Sequence, residues 1–247
     1  GLAVRVAEPV ARLVRDLELP RTALPDLTLT AIWTLLLFVA WDLSRYLLHR
    51  AMHAVPALWA FHQVHHSAEV LTPLTFHRLH PVEGALYALR GALVTGTLAG
   101  AAWGLLGRSP EPWTVLGVHA LGFCLNLVFG NLRHSHVPLS FPAAVERWFL
   151  SPTQHQLHHA LDPALQQSNY GTWLALWDRL AGTWRPTPTA GPPPRVGLDQ
   201  PNHDPHDLLS ALIGPIQGAL RAGLLLLVAA PALAQEPRSE ERRVGKE

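Results

Sequence analysis

Three apolar segments, each about as long as a bilayer crossing, place the strongest constraint on the fold of this chain. They cover residues 27–48, 84–107 and 113–132. An α-helix needs about 20 predominantly apolar residues to cross the hydrocarbon core of a membrane. Only 15% of the 247 residues are charged, whereas soluble domains average about 25%. The sequence therefore predicts an all-α integral membrane bundle, with about three to four transmembrane helices.

The turns between these segments predict how they are oriented. Pro110 and Pro112 favour a turn between the second and third segments, so those two should form a membrane hairpin. Its ends return to the side on which the first segment ends. Basic residues are enriched in cytoplasmic loops, and this side has most of the arginines, which predicts that it faces the cytoplasm. The arginines on this side are Arg45, Arg50, Arg78, Arg133, Arg147 and Arg179, while the hairpin turn has Arg108.

Histidines recur twice in the pattern H-x-x-H-H, at residues 62–66 and 155–159, and an H-x-x-x-H pair stands at His49 and His53. Helix positions i, i+3 and i+4 share an arc of about 100°, so each copy can direct three imidazoles to one side. With His134, which follows the third segment, the set reaches nine. All nine lie beyond or at the ends of the apolar segments on one face. This pattern predicts a cytoplasmic helical cap that carries a histidine cluster.

The number of imidazoles indicates two metal ions, because a mononuclear catalytic site needs only about three protein ligands. Imidazole binds iron, zinc, copper and nickel, so the spacing leaves the metal open. The zinc-protease motif H-E-x-x-H is absent. The single cysteine, Cys124, excludes a cysteine-based metal site and an internal disulfide. A net charge of +1 gives no basic surface for nucleic acid.

Five motifs, taken in order, resemble the fatty acid hydroxylase/sterol desaturase superfamily. They are H-R-A-M-H (49–53), L-W-A-F-H-Q-V-H-H-S (58–67), R-H-S-H-V (133–137), S-P-T-Q-H-Q-L-H-H (151–159) and N-Y-G-T-W-L-A-L-W-D-R-L-A-G-T (169–183). The resemblance covers residues 41–184 and indicates a bacterial-type member, cut short at its N-terminus. It implies an inner-membrane enzyme that uses O2 and two iron ions to hydroxylate or desaturate a lipid C–H bond. The ligands that it implies are His49, His53, His62, His65, His66, His134, His155, His158 and His159.

The resemblance also implies a lipid substrate and an electron donor. The chain has neither a cysteine motif nor a glycine-rich motif of the kind that a fused redox domain would carry. We therefore expect the electrons to come from a separate ferredoxin, cytochrome or reductase. Zinc is expected to be able to replace iron in a purified sample. Two other classes of protein stay open. A histidine-rich metal transporter would have histidines along its spans, but only His119 lies inside an apolar segment. A zinc hydrolase would need a carboxylate base beside the histidines, and none is evident, although Glu69 is nearby. The sequence leaves open whether the lipid is a sterol or a fatty acyl chain, and whether the product is hydroxylated or desaturated.

Five further residues are candidates either to bind metal or to orient a metal ligand. His80 lies in R-L-H-P-V-E, which matches a family pattern, and His136 stands where many relatives have asparagine. A metal-bound histidine usually donates its other N–H to a carboxylate or carbonyl, which points to Asp42, Glu83 and Asp178. An ion pair between Asp42 and Arg45 is the alternative for Asp42. The remaining histidines are expected to be ordinary contacts: His119 bonded to a neighbouring helix, and His203 and His206 solvated.

The two ends of the chain differ from residues 1–184, which form the predicted membrane domain. Residues 4–17 are amphipathic and indicate the remnant of an interfacial helix; the chain starts at Gly1, so we expect a truncated start. Residues 185–207 read as a proline-rich linker. Within 208–237 we expect a short amphipathic helix at 208–220, then an apolar run too short to span, which is an interfacial helix or an assembly artefact. Residues 238–247 resemble a translated sequencing adapter and are expected to be artefactual.

Overall fold

The computed structural model describes residues 1–19, 25–116, 118–189 and 194–233. Over these ranges the chain is mostly helical, with only two short strands, which confirms the predicted fold class. A 3-10 turn covers Pro73–His77 and a π-helical turn covers Asn126–Gly130. Two short antiparallel strands, β1 (Thr114–Val115) and β2 (Val118–His119), form a hairpin. The helices are α1 (Leu2–Asp16), α2 (Asp26–Ala54), α3 (Pro56–His66), α4 (Pro81–Leu106), α5 (Ala120–Leu125), α6 (Asn131–Arg133), α7 (Ala143–Glu146), α8 (Pro152–His158), α9 (Pro163–Gln166), α10 (Leu176–Leu180) and α11 (Leu208–Leu233).

Three of the described helices are long and apolar enough to cross a membrane: α2, α4 and residues Leu208–Leu225 of α11. Helix α2 contains the predicted segment 27–48, and α4 covers the predicted segment 84–107 except for its last residue. Many apolar side chains on these helices point outward, and Leu35 and Leu47 are each more than half exposed. Such a surface suits contact with lipid rather than water. The prediction of a membrane-associated helical bundle is therefore confirmed.

The third predicted segment, residues 113–132, does not form one spanning helix. The chain first makes the β1–β2 hairpin, in which Leu116 takes a positive φ of 52°. Helical structure begins only at Ala120 and ends at Arg133. Fourteen helical residues reach about 21 Å, short of the roughly 30 Å hydrocarbon core. The β-branched residues Thr114 and Val115 favour extended backbone, a preference that the apolar composition of the segment hid.

Helix α1 packs along α4 through a row of small residues. Gly96, Gly100 and Gly104 are spaced four residues apart and face α1. A Cβ added at Gly96 would lie 2.5 Å from the carbonyl oxygen of Ala3, and one added at Gly104 would lie 2.6 Å from Cβ of Val14. Only glycine allows the two backbones to approach so closely. The amphipathic start of the chain is thus a packed helix of the bundle, whereas the sequence indicated an interfacial one.

The C-terminal part also departs from the prediction. Residues 208–220 and the apolar run after them belong to one helix, α11, which is described as far as Leu233. The proline-rich segment before it contacts the cap: Leu161 N–H donates to the Arg195 carbonyl, and Gly197 N–H donates to the His159 carbonyl. Residues 234–247, which include the suspected adapter sequence, lie outside the described residues.

Helix ends on one side of the bundle bring the cap together. Helix α2 finishes at Ala54, α3 follows after a single residue, and α4 starts on the same side after the 3-10 turn. Pro56 and Pro81 each occupy the first turn of their helix, where the missing N–H of proline costs nothing. The small helices α7 to α10 complete the cap. The motif histidines therefore meet at one end of α2 and α4.

Candidate metal centre

Local sequence signals fix the helices that carry the histidines. Helix α8 begins with a capping box: Gln154 N–H donates to Ser151 Oγ, and Ser151 N–H donates to the Gln154 side-chain oxygen. Such reciprocal bonds stabilise the first turn of a helix. The helix is short and ends at His158, so His155, His158 and His159 cover its last turn and cap. His134 directly follows α6.

The nine predicted ligand histidines lie together, buried, in two adjacent groups. In each group one nitrogen atom per histidine lies within 4.8 Å of the others. The rings of His66 and His159 stack at 4.4 Å between centroids and join the two groups. The first group holds His49, His53, His62, His66 and His158; the second holds His65, His134, His155 and His159.

Each H-x-x-H-H motif divides between the two groups, where the sequence predicted that it would serve one side. His62 and His66 enter the first group and His65 the second; in the other copy His158 enters the first group while His155 and His159 enter the second. At 3.6 residues per turn, positions i and i+4 differ by about 40° around the axis, whereas i+3 lies about 60° to the other side of i. Each motif can therefore serve two ions at once.

Distances between imidazole nitrogens suit a common ion. Nε2 of His158 lies 3.0 Å from Nε2 of His49, and Nε2 of His134 lies 3.1 Å from Nε2 of His65. A metal–imidazole bond is about 2.1 Å long, so two ligands at a right angle place their nitrogens about 3.0 Å apart. These pairs have the separation of neighbouring ligands in one coordination sphere.

Four of the imidazoles are oriented from behind by an acceptor on Nδ1. His49 donates to the Tyr170 carbonyl at 2.7 Å and His158 to the Ser168 carbonyl at 2.8 Å. His65 donates to the Arg78 carbonyl at 3.3 Å. His62 lies 2.8 Å from the Glu83 carboxylate. Because these oxygens can only accept, Nδ1 carries the proton and the lone pair of Nε2 faces the cluster, the arrangement that metal ligands usually show.

Burial keeps the imidazoles neutral. It lowers the pKa of His158 to about 3 and that of His65 to about 4, and neighbouring imidazoles act in the same direction. Burial also lowers the pKa of His134, His155 and His159 well below its ordinary value. A histidine must be neutral to bind a metal. At neutral pH these side chains are therefore ready to act as ligands.

The donor set fits metal ions because several buried nitrogens have no other partner among the described residues. Both ring nitrogens of His53, His66 and His159 lack a hydrogen bond, as do Nε2 of His62 and Nδ1 of His155. Unpartnered buried polar atoms are rare in proteins, and each one needs an explanation. A metal ion in each group would take up one lone pair from each ring. Nine buried imidazoles suit transition metals better than calcium or magnesium.

The three carboxylates that were candidates to orient ligands occupy three different positions. Glu83 contacts a ligand histidine, as expected. Asp178 acts one step further away: it accepts from the backbone N–H of Tyr170, whose carbonyl accepts from His49. Burial raises the pKa of Asp178, and its bonds to Thr183, Gly171 and Tyr170 act in the opposite direction. Asp42 departs from the expectation, because it accepts from the backbone of Trp173 and Leu174 and from the Trp177 indole and meets no imidazole.

The other histidines lie outside both groups. His80 caps α4: its ring accepts from Val82 N–H and donates to the Leu212 carbonyl of α11. His136 is exposed, so neither His80 nor His136 takes a ligand position here. His119 donates to the Thr34 carbonyl on α2, the expected contact with a neighbouring helix. The expected solvation of His203 is wrong, because it is buried against Ser67.

Sequence reasoning missed Tyr170, although it lies in a quoted motif. Its backbone carbonyl orients His49, and its ring lies edge-on to His53 and to His158, with centroids 5.1 and 5.4 Å apart. The preceding Asn169 has a positive φ of 54°. A positive φ is tolerated best by asparagine among residues with a side chain. The N-Y-G sequence was therefore a signal for a turn that presents a carbonyl.

Two adjacent cavities lie beside the histidines. The larger has a volume of about 460 Å³ and extends between α2 and the β1–β2 hairpin, past Leu37, Phe38 and Pro112. The smaller, of about 40 Å³, touches imidazoles of both groups, including His49 and His155. The two share four lining residues: Arg45, Phe76, Arg133 and Thr172. From the sequence, the two arginines indicated the orientation in the membrane, and Arg45 was also the alternative partner of Asp42; no ion pair joins Arg45 and Asp42 in the structure.

Known proteins are similar to the part of the chain that holds the clustered histidines. The model of the fatty acid hydroxylase family matches residues 34–183. The chain is 29% identical over 162 residues to alkylglycerol monooxygenase of Danio rerio, which covers 65% of the chain and 32% of that protein. It is 29% identical over 164 residues to ornithine lipid hydroxylase of Rhizobium tropici, covering 66% and 45%. With delta(7)-sterol 5(6)-desaturase of Saccharomyces cerevisiae it shares 28% over 148 residues, covering 58% and 33%.

The matched region holds the nine clustered histidines and the carboxylates Asp42, Glu83 and Asp178. The aligned part spans less than half the length of each of these three relatives. No solved structure matches the chain. The family match covers more than half of the chain and includes the whole of the histidine site. The chain belongs to the fatty acid hydroxylase family.

Proposed function

We propose that this protein is a membrane oxidoreductase that hydroxylates or desaturates a C–H bond of a lipid with O2, at a pair of iron ions held by the two histidine groups. The observation that carries the proposal is the division of each H-x-x-H-H motif between two adjacent groups. A single-metal site would need only about three of these ligands. The similarity to lipid hydroxylases and to a sterol desaturase supports the lipid substrate.

The irons would supply the oxygen activation that an unreactive C–H bond requires. The protein would hold them through His49, His53, His62, His66 and His158 on one side, and through His65, His134, His155 and His159 on the other. Glu83 and the carbonyls of Tyr170, Ser168 and Arg78 fix the rings in place. Ligands that are oriented in advance need no rearrangement when the metal binds.

The cavities would bind and orient the lipid. The larger one is lined mainly by apolar side chains, among them Leu37, Phe38 and Trp41 on α2. It approaches the imidazoles only through the small chamber of about 40 Å³. That chamber admits few atoms at a time, so the surrounding side chains decide which carbon reaches the site. They also limit access of bulk water to it.

The substrate would enter from the membrane, and the electrons from the cytoplasm. Helix α2 carries both a lipid-facing surface and two of the ligands, so a lipid can reach the cavity sideways. The arginines of the cap favour a cytoplasmic position for the histidine face, in a bacterial inner membrane. A separate ferredoxin, cytochrome or reductase would deliver electrons there.

The alternatives have less support. A zinc hydrolase would need a free carboxylate base beside the metal; Glu83 is already bonded to His62, and Glu69 is 70% exposed and 3.9 Å from His206. A metal transporter would place ligands along a path through the spans. Here the ligands form two adjacent buried groups, and no other described histidines extend them into a path through the spans.

The test is an oxidation assay with defined cofactors. The protein is purified without oxygen, loaded with iron and given a membrane lipid extract, O2 and a chemical reductant. We expect a lipid product heavier by one oxygen atom, or lighter by two hydrogens, together with O2 consumption. No change in any lipid and no O2 consumption by the iron-loaded protein would contradict the proposal.

A further inference from the structure

Two arginines stand where the apolar cavity meets the histidines. Arg45 and Arg133 line both the larger and the smaller cavity. A lipid that enters the larger cavity and approaches the histidines through the smaller one would therefore pass beside both arginines. The proposed function does not itself require charge at this point, since an alkyl chain is uncharged.

Arg133 is a buried cation with unused hydrogen-bonding capacity. Its side chain is only 7% exposed, and its Nε–H is buried without a partner. Its guanidinium lies over the Trp173 ring at 4.0 Å from the centroid and donates through Nη1 to the Thr172 carbonyl. A buried unsatisfied donor on a charged group is costly. The Arg133 Nε–H is therefore a buried donor that a bound anion would satisfy.

Arg45 adds a second positive charge beside it. Its guanidinium lies over the Tyr87 ring at 4.8 Å. In the part of the chain that the structure describes, no carboxylate lies within ion-pair distance of Arg45 or Arg133. The two positive charges line the same two cavities and repel each other. An anion between them would relieve that repulsion.

The acidic groups that line the cavities each accept at least one hydrogen bond from another part of the protein. Asp42 lines the larger cavity, but three N–H groups of residues 173–177 donate to it. Glu83 lines the smaller one and is bonded to His62. Neither carboxylate offers the arginines a direct partner. Each cavity is therefore lined by two cationic side chains and one acidic side chain.

We propose that Arg45 and Arg133 bind the anionic group of a lipid, a carboxylate or a phosphate, whose hydrocarbon chain occupies the larger cavity. Arginine suits both anions, because its N–H groups match their oxygens in pairs. The small chamber beyond the arginines has room for few atoms. The C–H bond that meets the histidines therefore lies within a few bonds of the anion. This inference rests on the proposed function and narrows its substrate from lipids in general to anionic lipids.

The test measures binding rather than turnover. The purified, metal-loaded protein is titrated without oxygen with dodecanoate, dodecyl phosphate and dodecanol, in neutral detergent at pH 8, and followed by tryptophan fluorescence. Trp41 and Trp173 line the larger cavity and report its filling. We expect at least one anion to bind at least about tenfold more tightly than dodecanol, as charge-assisted bonds allow. The tighter of the two anions identifies the carboxylate or the phosphate as the natural group.

Variants show whether the anion binds to the arginines or to the metal ions. Arg45→Gln should remove most of the preference while dodecanol binds as before. Arg147→Gln is the matched control, since Arg147 is exposed on the cap and lies outside both cavities. Arg133 is buried, so Arg133→Lys, which keeps the charge, accompanies Arg133→Gln in case the latter does not fold. Equal binding of dodecanol and the anions by the unchanged protein would overturn the inference, and so would a preference that survives both Arg45→Gln and Arg133→Gln.

The two proposals fail separately. An anion preference in a protein that oxidises no lipid would contradict the proposed function and leave this inference standing. Oxidation of neutral lipids with no anion preference would do the reverse.

Discussion

Nδ1 of His62 lies 2.8 Å from a carboxylate oxygen of Glu83, and both side chains are almost fully buried. The pair joins α3 to the first turn of α4. The second Glu83 oxygen is buried without a partner among the described residues. A buried carboxylate in contact with an imidazole makes that imidazole a stronger metal ligand and fixes its tautomer.

Glu83→Gln should therefore weaken metal binding while the fold is kept. We expect the affinity for the metal in the first group to fall about 10- to 100-fold, the usual cost of losing such a partner. The measurement is a competition titration with a chelator. Glu111→Gln, at an exposed position, is the control and should leave the affinity unchanged. An unchanged affinity in Glu83→Gln would show that this carboxylate does not act on the site.

Replacing one ligand in each group should separate the two metal positions. His158→Ala removes a ligand from the first group and His155→Ala one from the second. We expect each variant to lose lipid oxidation while still inserting into the membrane, because the outer surfaces of α2 and α4 are unchanged. His77→Ala is the matched control, since His77 is exposed. Full activity of either cluster variant would remove that residue from the proposed site.

The packing of α1 on α4 should depend on the small residues between them. A Cβ at Gly100 would lie 2.8 Å from Cβ of Val10 and would collide with the Ala7 carbonyl. Gly100→Ala should therefore destabilise the protein by about 1–3 kcal/mol. Gly84→Ala on the same helix meets no atom within 4 Å and should stabilise it, by up to about 1 kcal/mol, through helix propensity. Thermal unfolding in detergent tests both; a Gly100→Ala protein as stable as wild type would show that α1 does not pack there.

Acid should destabilise the metal-free protein. The pKa of His158 falls from 6.5 to about 3 on folding, and that of His65 from 6.5 to about 4. Between these values and pH 6.5 the unfolded chain binds protons that the folded chain does not, so the free energy of unfolding decreases as the pH falls. The stability that the neutral imidazoles provide is fully present above pH 6.5 and is lost progressively as the pH falls below that value. Unfolding temperatures of chelator-treated protein at pH 7 and pH 5 test this; equal values would contradict burial of neutral imidazoles.

Hydropathy and spacing were enough to predict much of the architecture. Apolar length alone located α2 and α4, and the histidine pattern located all nine residues that the fold brings together. Both signals are local: they depend on residues a few positions apart in one element. The same reasoning failed for residues 113–132, because apolar composition does not distinguish a spanning helix from a short β-hairpin followed by short helices.

Features that depend on contacts between distant segments were beyond the sequence. The carbonyls of Tyr170, Ser168 and Arg78 orient histidines, but any residue has a carbonyl, so no side-chain motif marks them. The division of each motif between two metal positions depends on how α3 and α8 face each other. The roles of Arg45 and Arg133 likewise could be inferred only from the cavities. In the sequence, arginines at the ends of apolar segments are already explained by the enrichment of basic residues on the cytoplasmic side.

The central claim is that two adjacent histidine groups hold two iron ions. Elemental analysis of protein purified without oxygen and loaded with ferrous iron tests it most directly. The arrangement predicts two irons per chain in the unchanged protein, and one in His158→Ala or His155→Ala if the other group keeps its ion. A single metal ion per chain in the unchanged protein, or zinc bound with no capacity for iron, would contradict it.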